Sequence, residues 1–347
     1  MSENNPTPKA CGYQMPAEWA EHEATWLSWP KNPLTFPEEI IDSVEKTYSL
    51  MVEALSRGEI VKILVDDAAL EERARALLKT TQANMDNVQF FQIRSSDVWI
   101  RDYGPTFILN AQGEKAAIKW DFNAWGAKYD DLLYDNITGE NVVNTTGVRV
   151  FRPGIVLEGG SIDVNGHGVV LTTEQCLLNP NRNPHLTKAD LEEYLCNYLG
   201  VEKVVWLKSG IDGDDTDGHV DDFARFVNAH TILCSYADDD SVDAQVLQTN
   251  FKILKAQEVF EVVALPMPTP IPLEEEERNL PASYANFYIG NKAVLVPSFD
   301  DPADAQAAAI IGKYFPDREM VSIPATDLVY GYGGFHCITQ QEPKRRV

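Results

Sequence analysis

Ala293-Val294-Leu295-Val296-Pro297 opens the segment that decides the fold of this 347-residue chain. An apolar run of this length predicts a buried strand. Asp301-Pro302 follows, and then come a helix-like stretch over about residues 303–314 and the strand-like Met320-Val321-Ser322-Ile323. A glycine-rich loop then leads to Cys337. The segment is therefore predicted to be a strand, a helix, a second strand and a loop that carries a thiol.

The same order of elements occurs further upstream. One copy begins with Val169-Val170-Leu171 and continues through a helix-like stretch over about residues 188–199. The strand Val204-Val205-Trp206-Leu207, a Gly/Asp-rich loop and His219 complete it. His219 and Cys337 therefore close two similar units at matching places.

Two more copies begin at Thr25 and Ile232, and a looser one runs from about residue 107 to about residue 151. Units that cannot bury their own faces must pack against neighbours, and a radial arrangement leaves few open sheet edges. We therefore predict a single α/β domain in which about five units surround a pseudo-axis and their loops meet at the centre. An ordinary two-layer α/β domain is the alternative. The polar stretch Pro266–Pro281 is predicted to be a surface loop rather than a linker.

The charge balance restricts the possible partners. The chain has 53 acidic against 29 basic residues, a formal net charge of −24. This argues against nucleic acid or an anionic membrane as a partner, because both require a basic surface. An acidic protein raises the local concentration of cations, so the composition fits a small cationic substrate. A hydrophobic share of 44% is typical of a globular protein with a sizeable core, and a homo-oligomer stays open.

Cys337 is the best candidate for a nucleophile among the five cysteines. Cys176 and Cys234 are next to or within predicted strands, and Cys196 lies in a predicted helix, where a cysteine usually acts as a small apolar residue. Cys11 belongs to a Pro-rich leader over residues 1–14, which we expect to be mobile. An odd number of unevenly spaced cysteines is not typical of a disulfide framework, so we expect a reducing, cytoplasmic setting.

Two further segments carry polar side chains in turn-rich contexts. In His219-Val220-Asp221, residues two apart on an extended segment point the same way, so the imidazole and the carboxylate would share one face. A solvated acidic turn is the alternative for this motif. Asp97-Val98-Trp99-Ile100-Arg101-Asp102-Tyr103-Gly104-Pro105 combines acids, aromatic rings and an arginine. One acid of this segment would bind a substrate cation, unless Asp97 and Arg101 form a purely structural ion pair.

No metal or cofactor is predicted. The run from Asp212 to Gly218 is rich in aspartate, but glycine and glutamate are absent from the positions that a calcium loop requires. The chain contains neither a His-Glu-x-x-His nor a paired Cys-x-x-Cys zinc motif. Gly312-Lys313 lacks the remaining residues of a phosphate loop, and the glycines before Cys337 do not form a dinucleotide fingerprint.

Together these motifs resemble the agmatine deiminase family, which belongs with the bacterial-type peptidylarginine deiminases among the guanidino-group-modifying enzymes. The segments that carry the resemblance are Asp97 to Pro105, Leu157-Glu158-Gly159-Gly160-Ser161, Asp217-Gly218-His219-Val220-Asp221 and Gly333-Gly334-Phe335-His336-Cys337. Pro16-Ala17-Glu18-Trp19 is also similar to the start of the family's sequences. The resemblance implies a five-bladed α/β-propeller of the pentein type and a cysteine hydrolase without metal or cofactor.

The resemblance also implies a role for each site residue. Cys337 would attack the guanidinium carbon as a thiolate, His219 would carry protons, and Asp97 and Asp221 would hold the substrate cation. The further substrate-binding residues that it implies are Glu158, Trp99, Arg101 and Asp102. Hydrolysis of agmatine through a covalent thiouronium intermediate would give N-carbamoylputrescine and ammonia, a step in putrescine biosynthesis.

Other activities remain possible at this stage. A peptidylarginine or free-arginine deiminase would use the same chemistry on a different guanidine. A cysteine peptidase could use Cys337 and His219, although their order is the reverse of that in papain-like enzymes. A non-catalytic cation-binding protein of the same fold is the fourth alternative.

Overall fold

The computed structural model describes residues 6–273 and 278–345 as a mixed α/β protein. Residues 1–5 of the expected leader and residues 274–277 of the expected surface loop lie outside the described ranges. The strands are β1 (Tyr13–Gln14), β2 (His22–Ser28), β3 (Ile60–Val65), β4 (Val88–Gln92), β5 (Thr106–Asn110), β6 (Lys115–Ile118), β7 (Arg149–Phe151), β8 (Asp163–Val164), β9 (Val169–Thr173), β10 (Lys203–Leu207), β11 (Ala224–Asn228), β12 (Thr231–Ser235), β13 (Glu261–Leu265), β14 (Pro272–Leu273), β15 (Arg278–Asn279), β16 (Tyr288–Ile289), β17 (Ala293–Ser298), β18 (Glu319–Pro324) and β19 (Gln340–Pro343). The α-helices are α1 (Glu38–Leu55), α2 (Ala68–Leu78), α3 (Ile100–Tyr103), α4 (Ala124–Ala127), α5 (Asp135–Thr145), α6 (Glu174–Leu177), α7 (Lys188–Leu199), α8 (Ala244–Lys255), α9 (Asp304–Gly312) and α10 (Thr326–Val329).

One strand arrangement is repeated in five separate sheets. In each sheet an antiparallel pair shares its second strand with a parallel pair, as in β16–β17–β18 and β8–β9–β10. A parallel pair requires a crossover connection, and a helix supplies it in every unit. The helices that do so are α1, α5, α7, α8 and α9. The predicted strand–helix–strand units are therefore confirmed, and no sheet within the described ranges closes on itself.

Local sequence explains the ends of these helices, as α7 illustrates. Thr187 caps its first turn, because its hydroxyl accepts from the Asp190 backbone N–H while the Asp190 carboxylate accepts from the Thr187 N–H. Gly200 ends the helix at φ 70°, a left-handed conformation that suits glycine. The helix therefore spans Lys188–Leu199, as predicted.

Each sheet contacts its neighbours through helices and strand ends. Helix α1 packs on β3 of its own sheet and on β17 and β18 of another, and α8 packs on β10, β12 and β13. Helix α7 contacts β10 and β1, while β19 contacts β5. The apolar core lies in three clusters, the largest of which includes Trp26, Tyr48 and Phe287. The helices thus bury apolar faces of two sheets at once.

Five short turns precede the first strand of each antiparallel pair. They are α3, the 3-10 turns Gly159–Ser161, Val220–Asp222 and Tyr284–Asn286, and the loop that contains Cys337. The first four contact one another in chain order. The loop completes the series, since the His336 N–H donates to the Asn286 carbonyl and the Arg101 N–H donates to the Cys337 carbonyl. Residues far apart in sequence thus meet at one place.

The N-terminal segment packs against the first of these sheets. Lys9–Cys11 forms a 3-10 turn, and β1 pairs antiparallel with β5. Tyr13 is buried against Phe151. The described part of the expected leader is therefore in contact with the fold. No helix in the two described ranges is long and apolar enough to cross a membrane.

Strand β19 pairs with β2 and carries a buried carboxylate. The Glu342 carboxylate accepts from Lys115 Nζ at 2.6 Å, from Lys62 Nζ at 2.7 Å and from Trp26 Nε1 at 2.8 Å. Burial alone would raise the pKa of Glu342, but the two lysine charges lower it. The Glu342 cluster therefore connects β19, the strand after Cys337, to β2, the strand that carries Trp26.

We expect Glu342→Gln to lower the free energy of unfolding by about 3 kcal/mol, because it removes the counter-charge of Lys62 and leaves the buried Lys115 with only the exposed Glu23. Urea unfolding followed by circular dichroism measures the change. Glu319→Gln is the matched control, since Glu319 pairs with Arg57 but its side chain is 60% exposed. That control should change stability by less than about 1 kcal/mol. Equal losses in both variants would contradict the role assigned to the buried cluster.

Candidate active site

A cavity of roughly 390 Å³ opens beside the ring of short turns. Its described lining residues are Leu34, Thr35, Trp99, Asp102, Trp125, Tyr129, Asp131, Leu132, Asp215, Thr216, Arg278, Tyr330, Gly331, Tyr332 and Cys337. Aromatic and acidic side chains dominate this lining. Such a surface suits a small cation with an apolar stem.

Cys337 reaches the cavity although only 5% of the residue is exposed. Its Sγ accepts from Asn286 Nδ2 at 3.1 Å and lies 3.8 Å from Asp221 Oδ2. The Arg101 backbone N–H donates to the Cys337 carbonyl at 3.2 Å. Asn286 and Asp221 therefore contact the thiol, while Arg101 holds the backbone of the same residue.

The surroundings of the thiol keep it protonated. Burial raises the pKa of Cys337 well above its usual value, and the charges of Asp221, Asp222 and Asp102 raise it further. A thiolate would be desolvated and close to other negative charge. A cation that enters the cavity would offset this charge and favour ionisation of the thiol.

His219 is fully buried, and both of its ring nitrogens lack a hydrogen-bond partner within the described chain. Nδ1 lies 3.8 Å from Asp102 Oδ1. Burial lowers the pKa of His219 to about 3, against the opposing charge of Asp221. The imidazole is therefore neutral near pH 7. It has a free nitrogen that can accept a proton, but it supplies no positive charge to the thiol.

Asp221 adopts a different backbone from the one predicted. His219 is extended, but Val220–Asp222 forms a 3-10 turn, so the expectation of an extended His-x-Asp segment was wrong. Asp221 Oδ2 accepts from His336 Nδ1 at 2.6 Å, while the buried Oδ1 lacks a hydrogen-bond partner among the described groups. Burial alone would raise the pKa of Asp221, but the hydrogen bond and charge of His336 lower it. Asp221 is thus ionised and has an unused acceptor.

Gly160 allows the polar groups of this cluster to approach one another. A Cβ at this position would stand 2.5 Å from His219 Nδ1, 2.9 Å from Asp102 Oδ1 and 3.1 Å from Asp221 Oδ2. These three side chains therefore surround the same backbone atom. Asp102 is anchored there by the Gly160 N–H at 2.9 Å and by Trp125 Nε1 at 3.0 Å.

Asp97 is buried one layer behind the cavity wall. Its Oδ2 accepts from the Thr35 hydroxyl and from Asn32 Nδ2 at 3.0 Å, and its Oδ1 accepts from the Val98 N–H at 2.8 Å. Burial raises the pKa of Asp97 to about 6, although these hydrogen bonds oppose the rise. Thr35 lines the cavity, so Asp97 connects to it through that hydroxyl.

The remaining predicted residues occupy three different positions. Trp99 lines the cavity together with Asp102. Glu158 is buried beside His219 and Cys176, and its carboxylate pairs with Arg182 Nε at 2.5 Å. Arg101 is not among the described lining residues. Its guanidinium donates to the His336 carbonyl at 3.1 Å and to Gln341 Oε1 at 2.6 Å, so it supports the Cys337 loop from behind.

Sequence reasoning missed Asn286 and His336 as site residues. Asn286 Nδ2 bridges Asp222 and Cys337, while its Oδ1 accepts from the His336 N–H at 2.8 Å. The repeated units contained the signal for Asn286, since it occupies the turn that corresponds to Val220–Asp222. The histidine next to Cys337 had no such signal.

Two groups of side chains have the chemistry to bind a metal ion. Glu158, Cys176 and His219 have ligand atoms within 4.8 Å of one another, and so do Asp221, Asp222 and Cys337. An ion in the second group would occupy the space next to the thiol. It would therefore compete with a cationic ligand rather than assist it.

Comparison with known proteins gives a consistent result. A family model described as Porphyromonas-type peptidyl-arginine deiminase matches residues 14–343. An agmatine deiminase of Pseudomonas fluorescens is 39% identical to this chain, with 99% of each chain covered. The solved agmatine deiminase of Enterococcus faecalis has a TM-score of 0.90 at 32% identity over 99% of both chains. A substrate-bound agmatine deiminase of C. jejuni has a TM-score of 0.87 at 31% identity, over 96% of this chain and 97% of that one.

We expect Asp221→Asn to lower the pKa of Cys337 by about one to three units, because it removes the largest negative charge effect on the thiol. The rate of Cys337 alkylation by iodoacetamide, measured across pH, reports this pKa. At fixed neutral pH the variant should react faster than the wild type. Asp131→Asn, at the exposed rim of the cavity, is the control and should leave the profile in place. A profile that moves to higher pH in Asp221→Asn would contradict the electrostatic account.

Proposed function

Because this chain belongs to the Porphyromonas-type peptidyl-arginine deiminase family, we propose that it hydrolyses agmatine to N-carbamoylputrescine and ammonia. It would thus be a hydrolase that acts on the C–N bond of a linear amidine. Relatives that are agmatine deiminases and match along their full length support this substrate. The observation that carries the proposal is the Cys337 thiol, which shares a cavity with Asp102 and lies 3.8 Å from Asp221.

A planar guanidinium presents five N–H donors, and carboxylates accept such donors in pairs. Asp221 Oδ1 is buried and unpartnered among the described groups, so it is ready to accept one of them. We propose that Asp97 accepts a second, after exchanging the Thr35 and Asn32 donors that now occupy its Oδ2. Trp99 would form one wall for the planar cation.

The substrate itself helps to activate the nucleophile. The Cys337 thiol has a raised pKa because it is buried near three carboxyl groups. A guanidinium bound against Asp221 neutralises part of that charge and places a positive carbon beside Sγ. Neutral His219 has unpartnered ring nitrogens within the described structure, and we propose that it takes the proton from the thiol.

In the first half of the reaction, Cys337 Sγ bonds to the guanidinium carbon and a π electron pair moves onto nitrogen. His219 then gives its proton to the terminal nitrogen, and the C–N bond breaks. Ammonia leaves, and a thiouronium cation remains attached to Cys337. The total charge of +1 is unchanged, because the substrate cation has become the intermediate cation.

In the second half, a water molecule replaces the departed ammonia. His219 accepts a proton as the water oxygen bonds to the thiouronium carbon. The C–S bond breaks, Cys337 recovers its proton, and the ureido product leaves as a neutral molecule. The remaining proton converts ammonia to ammonium in solution, so atoms and charge balance.

The outer part of the cavity favours agmatine over arginine. Asp131 and Asp215 line it, whereas Arg278 is the only cationic side chain among the described lining residues. Arg278 Nη1 is paired with Asp215 at 2.5 Å. The distal ammonium of agmatine therefore meets acidic groups, while the carboxylate of arginine would be repelled by them.

We also propose that the five sheets are the blades of a five-bladed α/β-propeller within one domain. The contacts between neighbouring sheets and the meeting of the five turns support this arrangement. A cytoplasmic location is proposed as well, because the reaction requires Cys337 in its reduced form and all five cysteines are free.

The first test compares ammonia release from agmatine, free arginine and a benzoyl-arginine ester. We expect the highest kcat/KM with agmatine, and Cys337→Ala should lose at least about a thousandfold in turnover. Cys196→Ala is the control, since this thiol lies on α7 outside the cavity. Faster turnover of either arginine compound would contradict the substrate assignment. Full activity of Cys337→Ala, or peptide cleavage without ammonia, would reject the proposed chemistry.

A second test concerns the distal amine. We expect Asp131→Asn to raise KM for agmatine about fivefold, since one exposed ion pair is worth about 1 kcal/mol. The value of kcat should stay within about twofold, because the guanidinium end is unchanged. Asp130→Asn is the matched control, since this neighbouring residue does not line the cavity. Equal KM values in both variants would show that Asp131 does not bind the amine.

A further inference from the structure

His336 lies between two buried carboxylates. Its Nδ1 is 2.6 Å from Asp221 Oδ2, and its Nε2 is 2.6 Å from Glu18 Oε2. The imidazole is 2% exposed, and both carboxylates are also buried. A carboxylate oxygen only accepts, so each ring nitrogen must donate and the ring is an imidazolium cation. His336 precedes Cys337 in the sequence, and its buried cation lies behind the cavity.

Glu18 is held rigidly on the far side of this cation. Its Oε2 accepts from Arg225 Nη2 at 2.9 Å, and its Oε1 accepts from the Ile289 N–H at 2.9 Å. Arg101 Nη2 lies 3.7 Å from the same carboxylate. Burial alone would raise the pKa of Glu18, but the charges of Arg225 and His336 lower it. These donors hold the Glu18 carboxylate in place. The carboxylate in turn fixes the orientation of the His336 ring.

The effect on Asp221 is selective. Its Oδ2 is fixed by His336, so its orientation is set and Oδ1 is left as the buried, unpartnered acceptor. Asp102 and Asp222 have raised pKa values, chiefly because of burial and secondly because of the charge of Asp221. Within the described ranges, Asp221 is the one carboxyl group of the three acting on the thiol that has a cation within hydrogen-bond distance.

We propose that His336, held by Glu18, is a positioning residue that keeps Asp221 ionised and directs its Oδ1 toward the substrate cation. The Asp221 oxygen would form the charged contact, and His336 would never touch the substrate. This inference rests on the proposed function, since it assigns the support for the guanidinium site of that reaction. The described charged or titratable groups that face Asp221, His336 or Glu18 are His219, Cys337, Asp102, Asp163, Asp214, Asp222, Tyr288, Arg101, Arg225 and Arg318.

The test measures recognition of a cation without requiring turnover. Cys337 is alkylated with 2-chloroacetamidine, which is a cation, and with 2-chloroacetamide, its neutral analogue of nearly the same shape. The ratio of the two rate constants reports the charge that Asp221 presents, because effects on thiol reactivity largely cancel. We expect the wild-type ratio to be high at neutral pH, because Asp221 is ionised there.

His336→Gln should lower this ratio about tenfold at neutral pH, the loss expected when about nine in ten Asp221 carboxyl groups are protonated. The imidazolium stabilises the charged carboxylate, so its removal raises the pKa of Asp221. The ratio in the variant should therefore recover as pH rises and Asp221 ionises. A ratio equal to that of the wild type at every pH would overturn the proposal.

His22→Gln is the matched control, because it removes another buried histidine that pairs with a carboxylate, Glu59, at 3.1 Å. His22 contacts only the backbone carbonyl of Glu18 and should leave the ratio unchanged. An equal loss in this variant would show that His336→Gln acts through general destabilisation.

Glu18→Gln is the second variant, and it keeps His336 while removing the outer charge. We expect its ratio at neutral pH to be lower than that of the wild type, because His336 Nε2 loses its charged partner. A ratio equal to that of the wild type would reject the role of Glu18. The wild type provides one more test. If its ratio of rate constants decreases when the pH is lowered below neutral, the proposal is overturned.

Agmatine turnover by the wild type separates the two hypotheses. If ammonia release fails but the alkylation ratio depends on His336 as described, the substrate is wrong and the positioning role stands. If turnover is high and the alkylation ratio does not change in His336→Gln, only the positioning role is rejected.

Discussion

The burial of several carboxyl groups around a single thiol is the constraint on which the rest of this structure depends. Asp102, Asp221 and Asp222 lie near Cys337 with little access to water, an arrangement that a folded protein tolerates only if protons or cations balance the charge. His336 is one such cation, and burial raises the pKa values of Asp102 and Asp222, which favours their protonated forms. A cluster of this kind attracts a positively charged ligand and keeps its own nucleophile protonated.

The repeated unit explains how such a cluster is assembled. Each strand–helix–strand unit contributes one short turn, and the turns meet because the units pack side by side. Polar residues on these turns are then brought together from the whole length of the chain. The supporting contacts come from equally distant segments, since Glu18 and His336 are separated by 318 positions. The sheets provide rigidity, and the turns provide the chemistry.

The parts of the fold that could be predicted from the sequence are those in which apolar residues recur at regular intervals. The crossover helices and the parallel strands were found because apolar residues recur along them, whereas β8 and β16 have only two residues each and give no pattern. Cys337 was predicted from its glycine-rich loop and Asp221 from the His-x-Asp motif, whereas Asp102 was named only through the resemblance to a known family. The position of Arg101 behind the Cys337 loop was not predicted, because the sequence does not show whether a guanidinium binds a substrate or supports a loop. His336 was missed because its partners are defined only by tertiary contacts.

Strand β19 begins three residues after the nucleophile and pairs with β2, one of the most distant pairings along the chain. We expect the contacts that tune the thiol to form together with this long-range pairing. Partially folded molecules would carry an ordinary cysteine rather than a tuned one. Reactivity toward a cationic reagent therefore also reports correct folding. Titration with such a reagent would give the fraction of correctly folded molecules in a preparation.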